Sequence, residues 1–374
     1  MARTVDLRLS DEQAELRATV RQLLGDRSSS AQVRRAIESE EGFDRELWSQ
    51  MAEMGLQAVL VPERYSGLGM GALESAIVLE EMGRVLYCGP FLATTAMATN
   101  ALLLSGDDDA CADLLPGIAA GTTIATLAVP EQDGRWDSEP ASRASRRSGD
   151  SWVLDGAKTF VIDGHVADLL LVTAQTPAGL GLFAVSGKAP GLTRCPQPTL
   201  DLTRRMALVS FLETPARPIG QAGGAASVLA ATFDRMVVAL AAEQAGGAAE
   251  CLRLSVDYAK QRVQFGVPIG SFQAIAHRCA DMLLRVELSR SAVHYAAAAA
   301  DQGTQDFPIA ARVAAAYASR AFSWVATETI QVHGGIGFTW EHDAHLYYRR
   351  SKSAELVFGD PARHWEELAR RVGL

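Results

Sequence analysis

Arg262 and Gln264 sit where a long helix has to stop. The stretch Tyr258-Ala-Lys-Gln-Arg-Val-Gln-Phe-Gly-Val-Pro-Ile-Gly-Ser-Phe-Gln-Ala-Ile-Ala-His277 ends one helix at Arg262, turns at Gly266 and Pro268, and starts another near Ser271. An arginine at such an end can clasp a diphosphate through paired N–H donors. It can equally serve its own helix, by setting a cation beside the last carbonyls. A second group, Gln331-Val-His-Gly-Gly-Ile-Gly-Phe338, places three glycines after a helix. Glycines there permit left-handed turns and close backbone approach. Exposed N–H groups in such a turn bind anions, although the same pattern also simply terminates helices. His333 has the chemistry of a base or a ligand, but the sequence offers it no clear second ligand or carboxylate partner, which favours a structural histidine. Trp340-Glu-His-Asp-Ala-His345 gathers His342, Asp343 and His345 without the ligand pattern of a metal site.

The elements that must position these residues fall into three stretches. Residues 1–120 look helical: Ser10 and Gln13 form a capping-box start, and Phe43–Gly55 and Gly71–Gly83 carry apolar residues at three- and four-residue steps. Val61–Gly71 between them is a Pro/Gly loop. Residues 121–220 change texture. Short β-rich runs at Thr123–Val129, Ser151–Leu154, Leu169–Thr173, Gly181–Val185 and Ala207–Leu212 are punctuated by turn signals at Ser148–Asp150, Asp155-Gly156 and Asp163-Gly164. Such spacing predicts a small antiparallel barrel or sandwich. The segment Asp133–Arg147 is polar. Residues 221–374 are helical again and rich in alanine, with long segments at about 226–262, 271–302 and 306–334, which predicts an antiparallel helical bundle.

Composition narrows the class. Of 374 residues, 48% are hydrophobic and 21% charged, which suits two or three globular units. A net charge of -9 argues against wholesale binding to nucleic acid or to an anionic membrane. Cys88, Cys111, Cys195, Cys251 and Cys279 are widely spaced, with no CxxC and no zinc-ligand spacing, as expected for reduced thiols in a cytoplasmic protein. The charged N-terminus does not read as a signal peptide, and no uncharged apolar run reaches the ~18 residues of a membrane span.

Together, the Arg-x-Gln-Phe-Gly segment at Arg262–Gly266 and the Gln-x-x-Gly-Gly-x-Gly segment at Gln331–Gly337 resemble the acyl-CoA dehydrogenase family. Val61-Pro-Glu-Arg-Tyr-Ser-Gly-Leu-Gly followed by Leu79-Glu-Glu-Met-Gly-Arg84 is similar to its first domain, and Leu154-Asp-Gly-Ala-Lys158 with Ala167-Asp168 to its central one. The resemblance implies the acyl-CoA dehydrogenase fold: an N-terminal helical domain, a central antiparallel β domain and a C-terminal four-helix bundle. It implies FAD as cofactor and an acyl-CoA thioester as substrate. It assigns Arg262, Gln264, Phe265, Gln331, Gly334, Gly335 and Gly337 to the diphosphate and adenine half of the FAD of a neighbouring subunit. It also implies that the histidines after Trp340 hold no metal. Arg349, Arg350 and Lys352 form a basic cluster that could meet CoA phosphates, although a solvated face or subunit contact is the plainer reading.

The sequence departs from the family where the reaction happens. The family's glutamate base must lie against the substrate with a matched pKa. Phe358 occupies its usual place and Met236 the alternative one, and neither takes a proton. The flavin cradle differs too: Pro130 replaces a threonine, Ile162 replaces another, and Gln132-Asp-Gly-Arg-Trp136 replaces a Gly/Ser-rich loop. With Arg262, Gln264, Phe265 and the Gln331–Gly337 loop intact, these losses fit a chain that completes the FAD site of an unlike catalytic subunit; in this it resembles the non-catalytic-type subunit of bacterial heterotetrameric acyl-CoA dehydrogenases, and the resemblance implies electron-transfer flavoprotein as acceptor. The alternatives are a self-sufficient homotetramer with a displaced base, Glu243 before Glu341 or Glu355, and an inactive scaffold relative. As a purely structural residue, Glu243 would pair with an arginine such as Arg278 or Arg285.

Overall fold

The computed structural model describes residues 8–136, 140–147, 151–221 and 223–374. The turn signal at Ser148–Asp150 lies outside the described residues, as does part of the polar segment 133–147.

Helix α1 (Asp11–Arg27) opens with the expected capping box, Ser10 and Gln13 each satisfying the other's backbone N–H. Then follow α2 (Ser30–Glu38), α3 (Arg45–Glu53) and α4 (Ala72–Arg84), the last almost wholly buried. The Pro/Gly stretch before α4 contains a short 3-10 turn at Glu63–Tyr65. A seven-residue π-helix, Leu92–Ala98, runs into α5 (Thr99–Leu104), and α6 (Asp108–Ala119) closes the first domain. Nothing in the periodicity predicts that π-helix.

The central domain holds β1 (Ala125–Ala128), β2 (Arg143–Arg146), β3 (Trp152–Ile162), β4 (Leu169–Thr176), β5 (Gly179–Ser186), β6 (Leu192–Gln197) and β7 (Met206–Ile219). Pairings β4–β2, β2–β3, β3–β7, β7–β5 and β5–β4 close a circuit, with β1 added to β4 and β6 to β7. The sheet is mostly antiparallel; β1 runs parallel to β4, as does the single β2–β4 pair Arg143–Gln175. Asp155-Gly156 is not a turn. It lies inside β3, where a register shift takes up the irregularity and Gly156, at φ 137°, presses its backbone against Ser142.

In the last domain, α7 (Ala225–Gln261), α8 (Gln273–Gln302), α9 (Phe307–His333) and α10 (Ala344–Val357) form the bundle, and α11 (Pro361–Arg371) lies on α9. Between α7 and α8 projects a tiny hairpin, β8 (Val263–Gln264) and β9 (Val267–Pro268). By length and composition α7 passes as a membrane span, but it is the central helix of the bundle and over half of its apolar window is buried.

Helix α4 crosses α7 at backbone contact. A Cβ on Gly83 would collide with the carbonyl of Glu243, and one on Gly246 with that of Glu80. The two glycines let the first domain dock directly on the bundle.

Candidate functional site

Two segments separated by some seventy residues meet at one end of the bundle. Tyr258, in the last turn of α7, stacks on His333, the last residue of α9, at 4.4 Å between ring centroids; His333 in turn stacks on His342 at 4.3 Å. The His333 Nδ1 lies 2.7 Å from the Thr329 carbonyl, and burial holds its pKa below the usual histidine value. It is therefore a buried, satisfied histidine that ties the two helix ends together. Neither the stack nor its link to Tyr258 follows from the spacing in the sequence.

Around this stack the predicted binding residues face outward, except Gly337, which is buried. Arg262 caps α7 and is exposed, as are Gln264 and Gln331. Phe265, at the tip of the β8–β9 hairpin, takes φ 53° and is 93% exposed. Of the three glycines after α9, Gly334 alone takes positive φ, at 63°; Gly335 and Gly337 lie in a short 3-10 stretch, Gly334–Phe338. Gly337 packs closely on His333, but a Cβ on Gly335 would meet nothing in this chain. Glycine at 335 therefore meets no demand of the chain's own packing, and leaves room for a close external neighbour. Ile336, Phe338 and Trp340 are also exposed beside it.

The opposite arrangement holds against the β domain. Phe358 is 1% exposed and sits in an aromatic cluster, 5.1 Å from Trp136 and 6.1 Å from Phe233 between ring centroids. Trp136 closes the triangle with Phe233 at 5.9 Å, and its indole N–H donates to the Val357 carbonyl at 2.6 Å. Met236, one turn after Phe233 on α7, is buried in the core. The Pro130 carbonyl accepts from the Thr159 N–H at 3.0 Å, and the Ile162 carbonyl accepts from the Thr126 hydroxyl at 2.6 Å. Pro130 has no N–H to give and Ile162 no hydroxyl, so the two cradle positions offer a flavin ring neither donor. The neighbouring lysine, Lys158, is fully buried on Glu131 at 2.5 Å and on the Val129 carbonyl at 3.0 Å.

Glu243 is buried where the three domains meet. Its partners are Arg204, from the β6–β7 connection, and Arg350 of α10 at 2.7 Å, in place of the expected Arg278 or Arg285. Arg278 pairs instead with Glu328 at 2.5 Å, and Arg285 lies over the Trp324 ring. Burial alone would raise the Glu243 pKa, but the two guanidiniums outweigh it and hold the carboxyl below its usual range. Arg350 also pairs with Asp201 at 2.7 Å and bonds Thr203, so it is internal rather than part of a solvated basic cluster. These partners lie more than a hundred residues from Arg350, beyond the reach of local pattern. Glu355 accepts from Lys352 at 3.1 Å, and Glu341 is exposed. Among the described residues no group of three or more His, Cys, Asp or Glu could hold a metal.

A helical domain, a closed β domain and a helical bundle with an exposed Arg/Gln/Gly helix-end surface define a dehydrogenase-type flavoprotein fold. Models of the acyl-CoA dehydrogenase N-terminal and C-terminal domains match residues 10–122 and 223–373. The chain is 35% identical to acyl-CoA dehydrogenase IpdE2 of Mycolicibacterium smegmatis, over 97% of this chain and all of that one. Among solved structures it is similar to a variant of the Tcur3481–Tcur3483 steroid acyl-CoA dehydrogenase (TM-score 0.87, 32% identity, 97% and 98% of the two chains). It is also similar to the ChsE4–ChsE5 complex of Mycobacterium tuberculosis (TM-score 0.90, 27% identity, 98% and 99%). The chain belongs to the acyl-CoA dehydrogenase family, whose members are FAD-dependent oxidoreductases. The donor set tests the fit of that cofactor. The exposed guanidinium of Arg262 and the open turn at Gly335 have the chemistry to meet an anionic group such as a diphosphate, whereas Pro130 and Ile162 lack the side-chain donors that the resemblance implies for the flavin ring.

Proposed function

We propose that this chain is one subunit of a two-component acyl-CoA dehydrogenase, and that it completes the FAD site of an unlike subunit carrying the base. The observation that carries this reading is the contrast between its two half-sites. Phe358, at the position the family resemblance gives the base, is packed against Trp136 and Phe233. Of the residues for the cofactor's other half, Arg262, Gln264, Phe265, Gln331, Gly334 and Gly335 are exposed, and Gly337 is buried under the turn. Arg262 would give paired N–H donors to the diphosphate, and the 331–337 turn would bring backbone N–H groups to the adenine side. FAD, when bound, supplies hydride acceptance in α,β-desaturation of an acyl-CoA; in this reading the proton is taken by the other subunit. Two similar structures, Tcur3481–Tcur3483 and the ChsE4–ChsE5 complex, carry two component names each, which supports the pairing.

Glu243 does not suit the part of base. A carboxylate held by two buried guanidiniums and kept below its usual pKa is a weak proton acceptor. The acyl-CoA substrate would be oxidised in a tetramer, with electron-transfer flavoprotein as acceptor. The five cysteines are all unpaired, in keeping with a reducing cytoplasm.

Co-expression with a base-carrying relative and a flavin count on the purified tetramer test the proposal. Two flavins per four chains is the expected result. Four flavins, or acyl-CoA reduction of a flavin held by this chain alone, would overturn it. No flavin with every candidate partner would point to an inactive scaffold.

A further inference from the structure

A second feature shares no lining residue with either of the surfaces described above. A cavity of about 170 Å³ lies between α4, the π-helix with α5, and α7, and none of the residues lining it lies within 121–220. Its rim includes Met70 and Asp301, both exposed. Ala76, Ala96, Val238 and Ala239 supply apolar wall. The volume matches that of an engineered cavity, about 150 Å³, which holds a benzene-sized guest.

One charged side chain in this wall is held by a ring contact and by the field of nearby carboxylates rather than by a direct bond. Arg235 projects from α7 with its guanidinium 5.4 Å from the Phe307 ring centroid, and among the described residues it has no hydrogen-bond or ion-pair partner. The two nearby carboxylates are already engaged. Asp234 is held by Arg312 at 2.6 Å and by Arg371 at 3.0 Å. Asp301 accepts from the backbone N–H groups of Ala72 and Leu73, at 2.6 and 3.1 Å, at the start of α4. The amide of Asn100, also in the lining, donates to the Ala96 carbonyl at 2.7 Å. Arg235 is thus left with five N–H donors beside an apolar chamber.

We propose that this cavity binds a small monocarboxylic acid, its carboxylate on Arg235 and its apolar body against Ala76, Ala96 and Val238. A planar guanidinium matches a carboxylate bidentately, and the partly dry wall strengthens that bond. A lining with one cation among the described residues, and the carboxylate of Asp301 at the rim, disfavour a dianion such as a phosphate ester. The π-helix supports the assignment: such insertions recur at functional sites, and this one contributes Ala96 to the wall.

The test is calorimetric titration of the full chain with cyclohexanecarboxylate and benzoate, with their primary amides as neutral controls. The acids are expected to bind saturably and to raise the melting temperature, and the amides to bind roughly tenfold more weakly or worse. Arg235→Met is expected to lower acid affinity by roughly tenfold or more, and Arg235→Lys to retain part of it. No acid binding, equal binding of acid and amide, or full affinity in Arg235→Met would overturn the proposal. Should that variant fail to fold, the acid–amide pair on the unaltered chain decides alone. Flavins per tetramer are read in parallel, so failure here is distinguishable from failure of the two-component assignment.

Discussion

Two phenylalanines show how differently this chain treats its two half-sites. Phe358 is 1% exposed, locked between Trp136 and Phe233; Phe265 is 93% exposed on a hairpin that touches little else. In a lone globular chain the second arrangement wastes an apolar side chain and strains a non-glycine backbone at positive φ. The first is what packing alone would select. The difference separates two uses of an aromatic residue: Phe358 is core, whereas Phe265 keeps an exposed shape that, in the proposed two-component reading, an external partner would cover.

The comparison can be broken most forcefully on the inward side. Replacing Glu243 by Ala would leave Arg204 and Arg350 buried without their shared counter-charge, an expected loss of about 3–5 kcal/mol by analogy with broken buried pairs, read from denaturant midpoints. Because the folded carboxyl lies below its unfolded value of about 4.3, the pair's contribution is fully present above that pH. It is lost as pH falls through the folded pKa. Glu243→Gln should therefore flatten the acid limb of the stability profile; an unchanged acid limb would show that the pair contributes nothing.

Phe358→Glu is the next test. It restores the missing carboxyl in name, but into the aromatic cluster of Trp136 and Phe233 and with Pro130 and Ile162 unchanged, so it is expected to cost stability without creating activity. Robust oxidation of any acyl-CoA by that single variant, followed as flavin bleaching, would sink the argument. The outward side gives the smallest change in folding and the sharpest change in cofactor. Arg262→Ala should alter the chain's own stability by no more than about 0.5 kcal/mol, as exposed substitutions do, and yet lower the flavin content of the assembled complex. Unchanged occupancy would remove Arg262 from the site.

Much of the architecture was legible locally. The long helices expected at about 226–262, 271–302 and 306–334 run at Ala225–Gln261, Gln273–Gln302 and Phe307–His333, because alanine-rich amphipathic stretches and glycine stops encode them directly. The β domain was less legible. Strands β2 and β6 are mostly exposed and polar, with Pro196 in the second, so neither carries an alternating apolar signal. Gly156 imitates a turn although it is a bulge, and the β1–β4 pairing joins residues 44 apart. At the site, residue types and spacing pointed to Arg262, Gln264 and the glycine turn. They did not reveal that Trp136 would reach Phe358, or that Arg350 would turn inward to Glu243. Those contacts depend on tertiary closure over more than a hundred residues, which no helical or strand period records.

The crossing at Gly83 and Gly246 bears on how this lineage can be recombined. Each glycine accommodates a carbonyl contributed by the other helix, so the two positions operate as a matched pair across a domain boundary. A chimera that took its first 120 residues from one homologue and its bundle from another would seat correctly only if both partners lacked a side chain there. A single alanine at either position would wedge the modules apart, and the misfit would spread to every surface that spans them.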